Sequence, residues 1–229
     1  MKSGAVVLLS GGLDSTVNFY AALKECNVKM ALTFDYGQKA AKKEIEVAAA
    51  LARDAGVQHT VVDLPWFKGL GKSALNNSSV NVPKIRTASL DDKDLTERTA
   101  KAVWVPNRNG LFLNIGACYA EALQAQMVVP GFNREEAVTF PDNSLDFIRA
   151  TRKAFGFSTA NQVEVQCYTI AMSKVEIVEL GIKLNVPFKK IWPCYFDHAK
   201  WCGECESCQR SKRAFKISKV EIRDCFEKY

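Results

Sequence analysis

Two clusters of residues in this 229-residue chain have the types and the spacing to do chemistry. The first is Ser10-Gly11-Gly12-Leu13-Asp14-Ser15, set between the apolar run Ala5–Leu9 and a helix-forming stretch, Thr16–Lys24. A strand-to-helix turn of this kind can wrap a phosphate. Gly11 and Gly12 are expected to take positive φ and let the backbone approach an anion closely. The first-turn N–H groups of the helix then point back at the loop, and Ser10 and Ser15 add hydroxyl donors. Asp14 sets a carboxylate beside this cradle, which makes chemical sense with Mg2+ between carboxylate and phosphate. Neither the Gly-x-x-x-x-Gly-Lys-Ser/Thr loop of nucleotide hydrolases nor the Gly-x-Gly-x-x-Gly dinucleotide fingerprint is present.

The second cluster is Cys194-x7-Cys202-x2-Cys205-x2-Cys208. Tetrahedral zinc takes four sulfurs at ~2.3 Å, and a Cys-x-x-Cys turn puts two of them on one ion. The overlapping repeat supplies three ligands and Cys194 closes the site, with Gly203 relieving the tight turn. Zinc is the expected metal, and iron–sulfur ligation is its rival, because the same spacing occurs in cluster proteins. A closed four-sulfur shell leaves no open position, so the ion is expected to be structural. His198 lies inside the loop as an alternative ligand, although four cysteines leave it no necessary place. Cys26, Cys118, Cys167 and Cys225 share no spacing and read as small buried hydrophobes.

Elements that could position these groups alternate along the chain, which predicts βαβ units and a parallel sheet. Strands are expected over Ala5–Leu9, Lys29–Phe34, Gln58–Leu64, Met127–Pro130 and Gln162–Cys167. Helices are expected over Leu13–Lys24, Lys42–Ala55, and about 110–125, 144–155 and 173–184. In the second helix Ile45, Ala48, Ala49 and Ala52 form the apolar stripe. Ser173, with Glu176 three residues on, predicts a capping box. Pro65–Thr99 lacks periodicity and reads as a long, partly mobile loop and a candidate substrate lid. Ligands of an open parallel sheet bind outside the carboxyl ends of its strands, where Asp35-Tyr36, Arg108 and Asn133-Arg134 are expected to gather.

The length suits one sizeable core. It reads as an α/β domain over residues 1–190, followed by a metal-binding segment and helix over 191–229. No apolar run approaches the ~18 residues of a membrane span. Met1-Lys2-Ser3-Gly4 has none of the features of a secretory leader. A cytoplasmic place, where thiols stay reduced and free for metal, is therefore expected. Residues 209–229 hold seven basic against three acidic side chains, +4 of the net charge of +6. That tail fits a solvated helical face or an anion-contacting surface. It lacks the interleaved aromatics of a nucleic-acid stacking platform.

Ser10–Ser15 resembles the pyrophosphate loop of the N-type ATP pyrophosphatases, which split ATP between its α and β phosphates. The loop is followed, in order, by Phe34-Asp35-Tyr36-Gly37-Gln38, Val105-Pro106-Asn107-Arg108-Asn109, Ser173-Lys174-Val175-Glu176-Ile177 and the four cysteines. With these motifs the sequence is similar to the 7-cyano-7-deazaguanine synthases from Ala5 to about Arg213. The resemblance implies a Rossmann-like parallel sheet with helices on both faces, of the adenine nucleotide alpha hydrolase-like type, plus a small zinc segment. It also implies an ATP-dependent ligase of queuosine and archaeosine precursor synthesis. In that family the carboxylate of 7-carboxy-7-deazaguanine attacks the α-phosphate of ATP and ammonia converts the adenylate to an amide. A second ATP-dependent activation then allows dehydration to the nitrile, preQ0.

By the same resemblance Leu9, Ser10, Gly11, Gly12, Leu13, Asp14 and Ser15 would bind ATP with Mg2+, and Asp35 and Tyr36 would line the adenosine side. Asp14, Arg108 and Lys174 would be catalytic, with Arg108 or Lys174 as the cationic aid to the developing charge. A homodimer is implied, no nucleic-acid partner is expected, and ammonia would be free or delivered by a partner.

One stretch departs from the family pattern. Where Thr-Asp and then Tyr-Pro-Asp-Cys are common, this chain has Gly131-Phe132-Asn133-Arg134-Glu135-Glu136 and then Phe140-Pro141-Asp142-Asn143. Asn133, Glu135, Glu136 and Asp142 are the expected contacts to the deazaguanine, whose N–H and amino groups need acceptors. Two readings stay open: the same substrate and nitrile, or an adenylating enzyme that stops at the amide or modifies another acceptor such as tRNA.

Overall fold

The computed structural model describes residues 2–77 and 79–229. Met1, at the head of the stretch read above for a secretory leader, and Ser78, within the 65–99 segment, lie outside the described residues. In chain order the elements are β1 (Gly4–Leu8), α1 (Leu13–Glu25), β2 (Asn27–Asp35), α2 (Ala41–Asp54), β3 (His59–Asp63) and α3 (Lys93–Val103). There follow α4 (Arg108–Ala122), β4 (Met127–Val129), α5 (Arg134–Ala137), α6 (Leu145–Ser158), β5 (Glu164–Val165), α7 (Lys174–Lys183) and α8 (Glu206–Ile217).

The five strands form one parallel sheet in the order β3-β2-β1-β4-β5. Side chains alternate across it. Ala5, Val7, Ala31 and Val129 face α1 and α2, where Phe19, Ala22, Ala48 and Leu51 pack against them. Val6, Leu32 and Val128 face α4 and α6, meeting Leu113, Ala117, Ile148 and Phe155. Helices on both faces are what near-continuous apolar strands require. A third apolar cluster joins Leu13 and Val17 of α1 and Ile177 and Val178 of α7 to Trp192, Trp201, Phe215 and the four clustered cysteines. The strand order reverses between β1 and β4, so the loops leaving those two strands meet at the switch point where such sheets bind ligands.

Three local expectations change. The fifth strand pairs over only two residues, Glu164 and Val165. The buried face of α2 runs through Ala48, Leu51 and Ala52, while Ile45 and Ala49 are only half-buried. This rotation carries Glu44, four residues before Ala48, toward the sheet's carboxyl rim. The 65–99 segment, expected to be a partly mobile loop, holds two 3-10 turns and the start of α3, which is capped by the Asp92 carboxylate accepting from Leu95 N–H at 3.1 Å. Phe67, Ala74, Leu75, Val82, Ile85 and Leu90 are buried. Ile85 N–H donates to the Glu204 carbonyl at 3.1 Å, so the segment is fastened to the cysteine turn.

Candidate active site

β1 ends where Leu9 N–H donates to the Leu32 carbonyl at 2.8 Å, and the chain then leaves the sheet. Gly11 has φ +77°, and a Cβ there would lie 2.7 Å from Val47 Cγ1. Gly12 does not share the expected positive φ: it sits at φ −70°, ψ 171° as the N-cap of α1. What it contributes is the absence of a side chain. No side chain caps α1, so the first-turn N–H groups stay open to an anion. Leu13 is buried beneath the loop, and the Ser10 and Ser15 hydroxyls lie 2.9 Å apart. Gly131, just past β4, approaches so closely that a Cβ would meet Ser15 N at 2.6 Å. Trp192 N–H donates to the Gly11 carbonyl at 2.7 Å, holding the loop from the other end of the chain.

Asp14, in the first turn of α1, meets Lys174 at the start of α7: Nζ is 2.5 Å from Asp14 Oδ2 and 2.7 Å from Glu136 Oε1. The expected capping box is present, with Glu176 N–H donating to Ser173 Oγ and Ser173 N–H to Glu176 Oε2. It fixes the helix start from which Lys174 reaches inward. Burial pushes the Asp14 carboxyl up to about 6, with Lys174 opposing. Burial also works to lower the Lys174 ammonium, but the two facing carboxylates hold it above its ordinary value. Glu136, despite its burial, is held below the usual range by Lys174 and Asn133. At neutral pH the triad is therefore one cation between two carboxylates, net −1. Asp14 Oδ1 is buried with no hydrogen-bond partner. An orphaned carboxylate oxygen in a negatively charged lobe beside open N–H groups fits a hard divalent cation carried in with phosphate.

The cleft has two lobes of about 190 and 170 Å3. Asp14, Lys174, Trp192, Pro193 and Tyr195 line the smaller. Aromatic walls make the larger: Phe34 stacks on Phe112 at 3.9 Å, and Tyr36 leans on Phe112 at 5.5 Å. Asn107, in the left-handed region at φ +49°, turns the chain into α4 and aims Arg108 into this lobe, where Nη1 donates to Tyr36 Oη at 3.2 Å. Arg108 forms no ion pair among the described residues. Ser10, Ser15, Gly131, Glu136 and Glu44 line both lobes and so form the neck between them.

Glu44 was not singled out by sequence; its helical spacing from Ala48 and Leu51 is the signal that would have found it. Burial pushes its carboxyl up to about 7, against the Gln38 amide that donates to Oε2 at 2.8 Å.

The other expected contacts divide. Asp142 lies beside Arg108 and is half-buried, its carboxyl raised by burial. Asn143 lines the larger lobe. Asn133 is fully buried, its Oδ1 accepting from Glu136 N–H as the cap of α5. Asp35 turns back on its own loop, accepting from Gly37 N–H at 3.0 Å. Glu135 lines neither lobe: it accepts from Lys174 N–H at 2.7 Å and pairs with Arg210 and Arg213. Those two arginines, read above as part of a basic tail, are thus turned inward, and Arg210 also pairs with Glu206 at 2.8 Å.

The four cysteine sulfurs lie within 4.8 Å of one another, all buried, and could hold a metal ion. Cys202 and Cys208 sulfurs are 3.9 Å apart, close to the ~3.8 Å edge of a tetrahedron with ~2.3 Å metal–sulfur bonds. Backbone N–H groups of Cys202 and Phe196 donate to Cys194 Sγ, and those of Glu204 and Cys205 to Cys202 Sγ. His198 stands outside, exposed and stacked on Phe196. Of the other cysteines Cys26 and Cys167 are buried as expected, whereas Cys118 on α4 is exposed and Cys225 half-buried.

A parallel sheet ordered 3-2-1-4-5, with an open phosphate turn at its switch point, defines a Rossmann-like α/β protein of the pyrophosphate-loop class. The chain belongs to the family described as queuosine biosynthesis protein QueC, whose model matches residues 4–219. It is 54% identical over 223 residues to the 7-cyano-7-deazaguanine synthase of Bdellovibrio bacteriovorus, covering 97% of this chain and 96% of that one. It is 42% identical over 220 residues to that of Methanosarcina barkeri, covering 95% of each. In fold alone it resembles the solved NMN synthetase of Francisella tularensis, with a TM-score of 0.50 and 16% identity over 96% of this chain and 79% of that one. No helix among the described residues is long and apolar enough to cross a membrane.

Proposed function

We propose that this chain converts 7-carboxy-7-deazaguanine and ammonia to 7-cyano-7-deazaguanine at the expense of ATP, through an adenylated carboxylate and an amide. The observation that carries it, beside the family membership, is the joined cleft at the switch point: an open α1 N-terminus and the Asp14–Lys174–Glu136 triad in one lobe, an aromatic lobe with Arg108 in the other. The N–H groups of α1 with Ser10 and Ser15 grip the β and γ phosphates. Lys174 stands where negative charge grows as pyrophosphate departs, and Arg108 orients the anionic substrate; such preorganised charges are the main source of rate in phosphate-centred reactions. Asp142 and Asn143 offer acceptors to the deazaguanine edge. Magnesium, when bound, screens the phosphate charge, and Asp14 is the residue that would hold it.

The four thiolates suit zinc, which their closed shell makes a structural ion. A cytoplasmic, homodimeric enzyme without a nucleic-acid partner fits the same reading.

Incubation with 7-carboxy-7-deazaguanine, ATP, Mg2+ and an ammonium salt, followed by mass spectrometry, tests it. The nitrile is the expected product. Amide that accumulates without nitrile supports the shorter reaction, and the absence of both from folded, metal-replete protein sinks the proposal.

A further inference from the structure

The neck between the lobes carries two carboxylates, and they are not alike. Glu136 is paired with Lys174 at 2.7 Å. Glu44 forms no ion pair among the described residues, although Arg108 faces it from α4; one oxygen accepts from Gln38, and the other carries no hydrogen bond and is not sealed from solvent. An anion placed beside a phosphate loop, with no fixed cation on it, repels the nucleotide it borders. Its presence makes sense if a small cationic or proton-donating group comes to it. Gln38 already holds one oxygen, which disfavours the side-by-side grip on two N–H groups that a purine edge would need and leaves room for a single small donor.

We propose that Glu44 receives ammonia at the neck and accepts the proton that its nitrogen sheds on attacking the activated carboxylate. The inference rests on the adenylation reading above. The ammonia lone pair forms the C–N bond to the acyl carbon. The C–O bond to the α-phosphate breaks with its electrons on AMP, and the displaced proton passes from nitrogen to the Glu44 carboxylate, then to solvent. The groups facing Glu44 are Arg108 of α4, Asp35 and Tyr36 at the end of β2, and, across the neck, Glu136 with Lys174 and Asp14. A carboxyl raised toward neutrality is matched to such a transfer.

The test separates the two half-reactions in Glu44→Gln, which keeps shape and the contact with Gln38. Pyrophosphate exchange into ATP, dependent on 7-carboxy-7-deazaguanine, reports adenylation and should stay within about threefold of the parent. Amide formation from ammonium, compared at equal free ammonia, should fall by about 100-fold, and any rise with pH near neutrality beyond the rise in free ammonia should disappear. Hydroxylamine, far less protonated near neutral pH than ammonia, should restore acyl transfer as hydroxamate, and Glu44→Asp should recover part of the ammonia reaction. Exchange that falls in parallel with amidation, or amidation that survives in Glu44→Gln, overturns the role. If the parent itself shows no substrate-dependent exchange, the adenylation reading fails, and this inference with it.

Discussion

Lys174 Nζ lies 2.5 Å from Asp14 Oδ2, joining the first turn of α7 to the first turn of α1 across 160 residues of sequence. The same nitrogen holds Glu136, and the lysine side chain is only 7% exposed. Removing one partner of a buried pair leaves charge without compensation, at a cost of about 3–5 kcal/mol. Lys174→Met should therefore lose stability on that scale in urea titration, because Asp14 and Glu136 then face each other. In Asp14→Asn the Lys174–Glu136 pair survives. That variant should lose less than about 2 kcal/mol, yet substrate-dependent pyrophosphate exchange should fall by about 100-fold or more. Equal losses of stability in the two variants would show that Asp14 is chiefly structural.

Glu44 gives a pH signature in stability. Its folded carboxyl titrates at about 7, well above an ordinary glutamate, so between about pH 4.5 and pH 7 the folded chain keeps a proton that the unfolded chain has shed. The folded state then binds more protons, and stability falls as pH rises through that window. Glu44→Gln removes this dependence. Between pH 5 and pH 8 the parent should lose about 2 kcal/mol relative to the variant, measured as the difference in unfolding free energy. A parent and variant with parallel pH profiles would refute the raised carboxyl.

The cysteine centre is flanked by Trp201, which is buried and donates to the Ile191 carbonyl, and by Trp192, which donates to the Phe196 carbonyl. Stripping the metal with a chelator should red-shift tryptophan emission and lower the melting temperature together, since metal binding to such a shell is folding free energy. One ion per chain, with sulfur neighbours at ~2.3 Å by X-ray absorption, is the expected content. Emission unchanged after complete metal removal would mean that the four sulfurs hold their places without it.

Gly131→Ala would place a Cβ 2.6 Å from Ser15 N, against backbone that cannot swing aside. The phosphate turn must shift, and misplacement of about 1 Å can cost 100-fold in rate. Pyrophosphate exchange should drop accordingly. Gly156→Ala, on α6 with nothing within 4 Å of the added methyl, is the matched control and should leave exchange unchanged.

Much of this was legible in the sequence because parallel strands buried on both faces leave continuous apolar runs: Ala5–Leu9 and Met127–Pro130 contain their strands to within a residue or two. The phosphate turn, the capping box at Ser173 and the cysteine spacing were legible because each is a local pattern with a local physical cause. Helix α3 was not, because Lys93–Val103 is largely polar and sits within a segment whose anchors, such as Ile85 on Glu204, are distant in sequence. Glu44 was missed because an apolar stripe drawn through Ile45 and Ala49 turns it to solvent, whereas packing against the sheet rotates α2 the other way. The inward turn of Glu135 depends on Arg210 and Arg213, 75 and 78 residues away, and no local pattern announces it.

The smaller lobe takes Asp14 from one end of the chain and Trp192, Pro193, Tyr195, Ser207 and Ser211 from the other. Contacts so far apart in sequence are closed late, because the intervening chain must first be ordered. A ribosome-bound chain can show its phosphate turn long before it has a lobe to put the phosphate in. That lobe is complete only once Ser211 has emerged, so termination before that residue leaves the phosphate turn without the far wall of its lobe.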